Sequence, residues 1–185
     1  MHQSKPAHLT RRKFITFLGC AASSPLFLSP KALFAGTHEK RTLDFYHTHT
    51  NEKLLATYFD GVDYDNSALA EINDFLKDFR TGDQVAFDPA LLDSLFALKT
   101  KAQSRGTFEV ISGYRSPQTN ETLRKKGSGV AKRSYHMRGK AIDIRLTDIN
   151  TSELRNIAKS LQHGGVGYYA KSDFLHLDTG PVRSW

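Results

Sequence analysis

From Arg41 to Phe59, apolar and polar residues alternate on either side of Thr50-Asn51-Glu52-Lys53. This is the period-2 pattern of two half-buried strands joined by a polar turn. It predicts a β-hairpin with Leu43, Phe45, Leu55 and Phe59 pointing inward. The period then lengthens: Leu69, Ile72, Phe75, Leu76 and Phe79 recur at helical spacing after a capping Asn66, and the pattern stops near Arg80 and Gly82. A second helix is expected from Asp88, with Pro89 in its first turn, Leu91, Leu92, Leu95, Phe96 and Leu98 on its apolar face, and Gly106 as its stop. Phe108 to Ser112 reads as a short strand, Pro117 to about Lys126 as a polar helix, and Ala141 to Leu146 as another strand. Asn150 and Glu153 form a capping box for an apolar-faced helix carrying Leu154, Ile157, Ala158 and Leu161, closed by Gly164-Gly165. Gly165 to Tyr169 and Phe174 to Thr179 complete the chain as an antiparallel pair. The class is α+β, with helices packed on a small antiparallel sheet, and ~150 residues suffice for one core.

Residues 1–35 have no place in that pattern. A basic cluster, Arg11-Arg12-Lys13, precedes an apolar stretch through Phe17-Leu18-Gly19-Cys20-Ala21-Ala22, and the segment ends at Ala35, a small residue where a signal peptidase would cut. That is the organisation of an export signal, and the paired arginines before Phe14-Ile15 resemble a twin-arginine leader. Ser23, Ser24, Pro25, Ser29 and Pro30 break the stretch as a membrane span. A lipid anchor on Cys20 would strand the apolar run that follows it. The expected cut is after Ala35, leaving a mature periplasmic chain 36–185 with no stable membrane anchor. Charge supports the division: five of the 26 Lys and Arg, and none of the 19 acids, fall in residues 1–35, leaving 21 against 19. A pI near 9.5 therefore belongs largely to the leader, and nucleic acid is not an expected partner. Cys20 is the one cysteine of the chain, so the mature part has neither a disulfide nor a thiolate site.

The candidate chemistry lies elsewhere. Ser134-Tyr135-His136-Met137-Arg138-Gly139-Lys140-Ala141-Ile142-Asp143 places a His at the end of a glycine-containing loop and an Asp seven residues on, in a strand. In Phe174-Leu175-His176-Leu177-Asp178 the polar residues alternate with apolar ones, putting His176 and Asp178 on one face. If that strand neighbours Asp143, two imidazoles and a carboxylate can meet on one Zn²⁺ with a fourth position left for water. On spacing alone each of these residues also fits an ordinary hydrogen-bonded role.

Three blocks in order, Ser112-Gly113-Tyr114-Arg115-Ser116, then S-x-H-x-x-G-x-A-x-D from Ser134 to Asp143, then Phe174 to Asp178, resemble the zinc D-Ala-D-Ala metallopeptidase and hedgehog-like superfamily. Gly165-Val166-Gly167-Tyr168-Tyr169 and the ending Asp178 to Trp185 narrow the likeness to the MepK-type murein endopeptidases, over Leu43 to Trp185. The resemblance implies a 36–185 zinc metallopeptidase domain that hydrolyses peptide cross-links of peptidoglycan. His136, Asp143 and His176 would be its zinc ligands and Arg115 the cation facing the scissile carbonyl. Many superfamily members carry the proton-shuttling group as Glu three residues before the last His, or as His two before it; here those positions hold Asp173 and Phe174. Phe174 accepts no proton. Asp173 and Asp178 are the candidate bases, and Asp178 is equally a partner that orients His176 or pairs with Arg183.

Other features carry plainer expectations. His47 and His49 read as exposed hairpin residues, His163 as a cap on a helix end, and the basic run from Lys125-Lys126 to Lys132-Arg133 as a loop able to attract cell-wall carboxylates. Tyr114, Tyr135, Tyr168 and Tyr169 are expected to line the stem-peptide cleft. Two other activities fit the same residues: a D-Ala-D-Ala carboxypeptidase, or a zinc-stabilised murein-binding module without catalysis.

Overall fold

The alternating segments pair into one sheet. The computed structural model describes residues 39–127 and 129–185; the leader, Cys20 and the expected cut after Ala35 lie outside them. In chain order the elements are β1 (Arg41–His47), β2 (Lys53–Phe59), α1 (Asn66–Phe75), α2 (Pro89–Lys101), β3 (Phe108–Ser112), α3 (Pro117–Lys126), a 3₁₀ turn (Tyr135–Arg138), β4 (Ala141–Leu146), α4 (Thr151–Leu161), β5 (Gly165–Tyr169), β6 (Phe174–Asp178) and β7 (Arg183–Ser184). Among the described residues no helix is long and apolar enough to cross a membrane.

The α+β class holds, but the sheet is neither small nor purely antiparallel. Its order is β2-β1-β3-β4-β6-β5-β7, and two of its pairings, β1 with β3 and β5 with β7, are parallel. The β1–β3 pairing needs a long crossover, which α1 and α2 supply. Hydrophobic alternation reports which face of a strand is buried and nothing of its partner's direction.

The core lies between this sheet and α1, α2 and α4. Leu43, Phe45, Phe108, Ile142, Ile144 and Leu175 on the sheet, and Leu92, Leu95, Leu98, Ile72 and Leu154 on the helices, are wholly buried. Each contributes on the order of 1.5–3 kcal/mol by leaving water.

The hairpin forms with β2 in the opposite phase from the one expected. Leu43 faces Ala56 and Phe45 faces Leu54, so Leu54, Ala56 and Tyr58 turn inward, while Leu55 is 72% exposed and Phe59 half-buried. Tyr58 decides the matter, since its ring is buried while its hydroxyl donates to Asp93 Oδ1 at 3.0 Å. His47 is buried rather than exposed, with Nδ1 accepting from the His49 and Thr50 amides.

Helix ends also shift. Asp65, not Asn66, caps α1, accepting from the Ser67 and Ala68 amides at 2.8 and 3.2 Å. The helix stops at Phe75, because the chain then turns around the buried Asp78. Asp88 caps α2 as expected, but the helix ends at Lys101, and Gly106 is instead bound through its amide to Asp148 at 2.9 Å. Phe96 is half-buried. Asn150 caps α4 through the Ser152 amide, and Gln162, at φ 55°, closes it before Gly164-Gly165 is reached. His163 follows that residue, exposed.

Candidate metal centre

Two of the three expected ligands are brought together by sheet register: Asp143 on β4 lies directly opposite His176 on β6. The third comes from the 3₁₀ turn. Ser134 caps it by accepting from the His136 amide at 3.3 Å, and Gly139 closes it at φ 63°. A Cβ on Gly139 would stand 2.5 Å from the Ala86 carbonyl oxygen, so only glycine fits.

His136 Nε2, Asp143 Oδ1 and His176 Nδ1 converge at 2.9 to 3.2 Å from one another, all buried. Partners behind the rings assign the protons. The Gly113 carbonyl can only accept, at 2.7 Å, so His136 carries its hydrogen on Nδ1. The Asp178 carboxylate accepts at 3.0 Å, so His176 carries its hydrogen on Nε2. The facing atoms are then two nitrogen lone pairs and a carboxylate oxygen, three acceptors that need a cation between them. A tetrahedral ion with bonds of ~2.1 Å sets its ligand atoms about 3.4 Å apart. The gaps of 2.9 to 3.2 Å lie a few tenths of an ångström inside that spacing, so the donor set fits Zn²⁺.

The electrostatics agree. Burial would raise the Asp143 carboxyl, but His136, His176 and Arg115 hold it far below the usual range. Burial lowers His136, favouring the neutral ligand form over the opposing pull of Asp143. Burial acts the same way on His176, yet Asp143 and Asp178 on its two sides raise it above an ordinary imidazole. The cluster thus favours a positive charge at its centre, a place that a metal ion bound by these three residues would take.

Arg115 stands beside this cluster. Its Nε donates to Ser112 Oγ at 2.9 Å and its Nη2 to Asp143 Oδ2. The turn carrying it is held by Tyr114 N on the Leu76 carbonyl at 2.8 Å and by Ser116 N on Asp78 Oδ2 at 2.9 Å. Burial works against the charge of Asp78, but its hydrogen bonds to Thr119, Ser116 and Arg80 keep the carboxyl below its ordinary value.

The two candidate bases sit elsewhere. Asp178 bonds the far nitrogen of His176 and pairs with Arg183 at 2.7 and 3.0 Å, so it combines both of the supporting roles open to it. Asp173 has a left-handed backbone, φ 50°. Its carboxylate accepts from Thr151 Oγ1, lies 3.6 Å from Arg145, and lines a different cavity.

The cluster opens into a cleft of about 590 Å³. Tyr135 and Tyr169 line it; Tyr114 and Tyr168 do not, being packed against the core, with Arg155 over the Tyr168 ring. Val130, Ala131 and Arg133 of the basic loop form part of the wall. Sequence reading missed Trp185, whose ring centre is 5.4 Å from that of His176 and whose Nε1 donates to Tyr169 at 3.2 Å. It rests on Gly167, where a Cβ would lie 2.7 Å from the indole. A glycine amid apolar residues in a strand is the signal that could have pointed to such a close approach. His49 and Arg80 were also missed as cleft residues.

A family model described as peptidoglycan L,D-endopeptidase MepK matches residues 35–185. A protein of that name from Escherichia coli K12 is 40% identical over 175 residues, 95% of this chain and 96% of the relative. A Haemophilus influenzae protein named probable peptidoglycan L,D-endopeptidase MepK is 35% identical over 176 residues, 95% of each chain. With the match spanning every element that builds the cleft, the chain belongs to the peptidoglycan L,D-endopeptidase MepK family.

Proposed function

We propose that this chain is an exported, zinc-dependent murein endopeptidase that hydrolyses L,D-type peptide cross-links of peptidoglycan. The observation that carries the reading is the convergence of three buried acceptors beside a fixed guanidinium at the floor of one cleft. The names of the relatives support the substrate and the bond. A bond from an L-centre carbonyl to a D-centre amine is the diaminopimelate-to-diaminopimelate link; a D-Ala carbonyl would make a D,D bond.

His136, Asp143 and His176 would hold the ion, which when bound supplies Lewis-acid activation of water and of the peptide carbonyl. Arg115, braced by Ser112 and Asp143, turns its remaining N–H groups to the carbonyl oxygen as negative charge grows there. Asp178, locked by Arg183, keeps the His176 ring in the orientation and tautomer that aim Nδ1 at the centre. Tyr169, Phe174 and Trp185 form an aromatic wall of the cleft that packs against the stem peptide. We infer that the twin-arginine leader delivers residues 36–185 to the periplasm; loss of periplasmic protein on replacing Arg11 and Arg12 with lysine tests that.

One observation favours a second reading, the zinc-stabilised murein-binding module. Among the described residues lining the cleft, Asp143 is the one with a carboxylate side chain, and it is committed to the cluster. Digestion of purified sacculi with and without a chelator, followed by muropeptide separation, decides between them. Chelator-sensitive conversion of diaminopimelate-linked dimers to monomers without free D-Ala supports the endopeptidase. Release of D-Ala would mean a carboxypeptidase, and retention on sacculi without products a binding module.

A further inference from the structure

Four arginines line the cleft, in two different states. Arg115 is neutralised by Asp143 and Arg183 by Asp178. Arg80 and Arg133 have no carboxylate partner among the described residues, so the cleft carries a cationic excess.

Of these two, Arg80 is the prepared one. Its guanidinium lies 4.1 Å from the centre of the Phe79 ring, a ring that also stacks on His49 at 4.4 Å. Its amide donates to Asp78 Oδ1 at 3.1 Å. The other oxygen of that fully buried carboxylate holds Ser116, the residue after Arg115. One carboxylate therefore ties the Arg80 loop to the Arg115 turn. Two further bonds, from the Thr81 and Gly82 amides to the Asp78 carbonyl at 3.2 and 2.7 Å, tighten the same loop. An exposed arginine normally loses much side-chain freedom on binding a carboxylate; one held over an aromatic ring loses less, and keeps a planar fork matched to two oxygens.

We propose that Arg80 is the specificity-determining residue of the cleft, reading the free D-centre carboxylate of a diaminopimelate residue beside the scissile bond. The inference rests on the endopeptidase reading for its substrate. Its chemistry is simple. When diaminopimelate supplies the scissile carbonyl, its side chain carries a second carboxylate three methylenes away, whereas D-Ala in that place offers a methyl group. Arg80 lines the same cleft as Arg115, and its loop is tied to the Arg115 turn through Asp78, so its guanidinium can separate the two.

The test has a binding arm and a cleavage arm. Trp185 is the one tryptophan of the chain and lines the cleft, so its fluorescence reports occupancy. The probes are L-Ala-γ-D-Glu-diaminopimelate and the same tripeptide amidated at the D-centre carboxylate, and the cleavage substrates are the corresponding diaminopimelate-linked dimers. Wild type should favour the carboxylate over the amide by about 10- to 100-fold in both arms, the scale of a charge-assisted hydrogen bond. Arg80→Ala and Arg80→Gln should abolish that preference while leaving zinc content, melting temperature and handling of the amidated forms unchanged. Equal losses on both forms, unchanged preference in the variants, or a preference that disappears only in Arg133→Ala would overturn the assignment. Cleavage without preference refutes the role of Arg80 alone; carboxylate-selective binding without cleavage refutes the endopeptidase reading alone.

Discussion

Replacing Asp178 with asparagine separates the two tasks a carboxylate next to His176 can perform. The side chain is fully buried. Its Oδ1 accepts from Gly165 N at 3.3 Å, Gly180 N at 2.8 Å and Arg183 Nη1 at 3.0 Å, and its Oδ2 from His176 Nε2 at 3.0 Å and Arg183 Nη2 at 2.7 Å. Every neighbour is a donor. Asparagine has one oxygen, so whichever way the amide is turned its NH₂ meets donors. With the oxygen kept toward His176, three N–H groups lose their acceptor and Arg183 loses its counter-charge. At ~1–3 kcal/mol for a buried group left unpaired, and allowing for access of water to Arg183, the loss is about 3 kcal/mol. That corresponds to a fall in Tm of roughly 6–12 °C for a chain of this size. Because the His176 ring is no longer held from behind, zinc affinity should weaken by ~10–100-fold. Competition with a chromophoric chelator measures the affinity, scanning fluorimetry the Tm, and turnover of cross-linked muropeptides at rising zinc the rate. Excess zinc should restore turnover toward wild type. Wild-type zinc affinity and Tm, with turnover lost even at saturating zinc, would refute this reasoning and make Asp178 the proton carrier.

His136→Ala and His176→Ala should each lose stoichiometric zinc and all hydrolysis, as metal analysis beside a dimer-cleavage assay will register, because two remaining donors hold the ion poorly. Arg115→Ala should keep its zinc but lose ~10²–10³ in kcat, with Arg115→Lys recovering part of it; intact turnover with a lowered Tm would leave Arg115 as a turn-holding residue only. In the hairpin, Leu55→Ala should change stability by under ~0.5 kcal/mol and Leu43→Ala should cost about 2–5 kcal/mol by denaturant titration, since Leu55 is 72% exposed and Leu43 fully buried. Equal costs would restore the opposite strand phase.

Where the sequence was legible, one local rule was enough. β3, α3, β4 and β5 lie at the residues where pattern and capping placed them, because Val110, Ile142 and Ile144 alternate cleanly and Pro117 opens a helix only in its first turn. The same rule failed at β2, where Leu54 and Leu55 are adjacent and either phase buries a leucine. What settles the phase there is a hydroxyl–carboxylate contact between Tyr58 and Asp93, 35 residues apart. The end of α1 failed for a similar reason. Phe79 continues the helical spacing, but Asp78 is needed by Arg80 and Ser116, and that long-range demand turns the chain. In the site, the residue types and their order were legible, whereas the placement of Asp173 and Asp178 relative to the cluster was not. Alternation puts Asp178 on the face of His176, but it does not say to which ring nitrogen the carboxylate binds.

The β4–β6 pairing ties the metal centre to the hydrophobic core more tightly than a ligand count suggests. Asp143 and His176 face each other because Ile142 faces Leu177 and Ile144 faces Leu175. A slip of one residue would send Leu175 and Leu177 to the cleft and His176 into the apolar layer, so burial of the leucines fixes the imidazole. Charge works in the same direction. Three acceptors crowded to about 3 Å repel one another unless a cation is present, and by itself the cluster would push the strands apart or draw in a proton. Arg115 on the outer oxygen of Asp143 and Arg183 on Asp178 absorb part of that negative potential without occupying the centre. The apolar register thus supplies the position, the two guanidinium pairs make that position tolerable before metal arrives, and the remaining unmet acceptors reserve it for an ion rather than for an arginine.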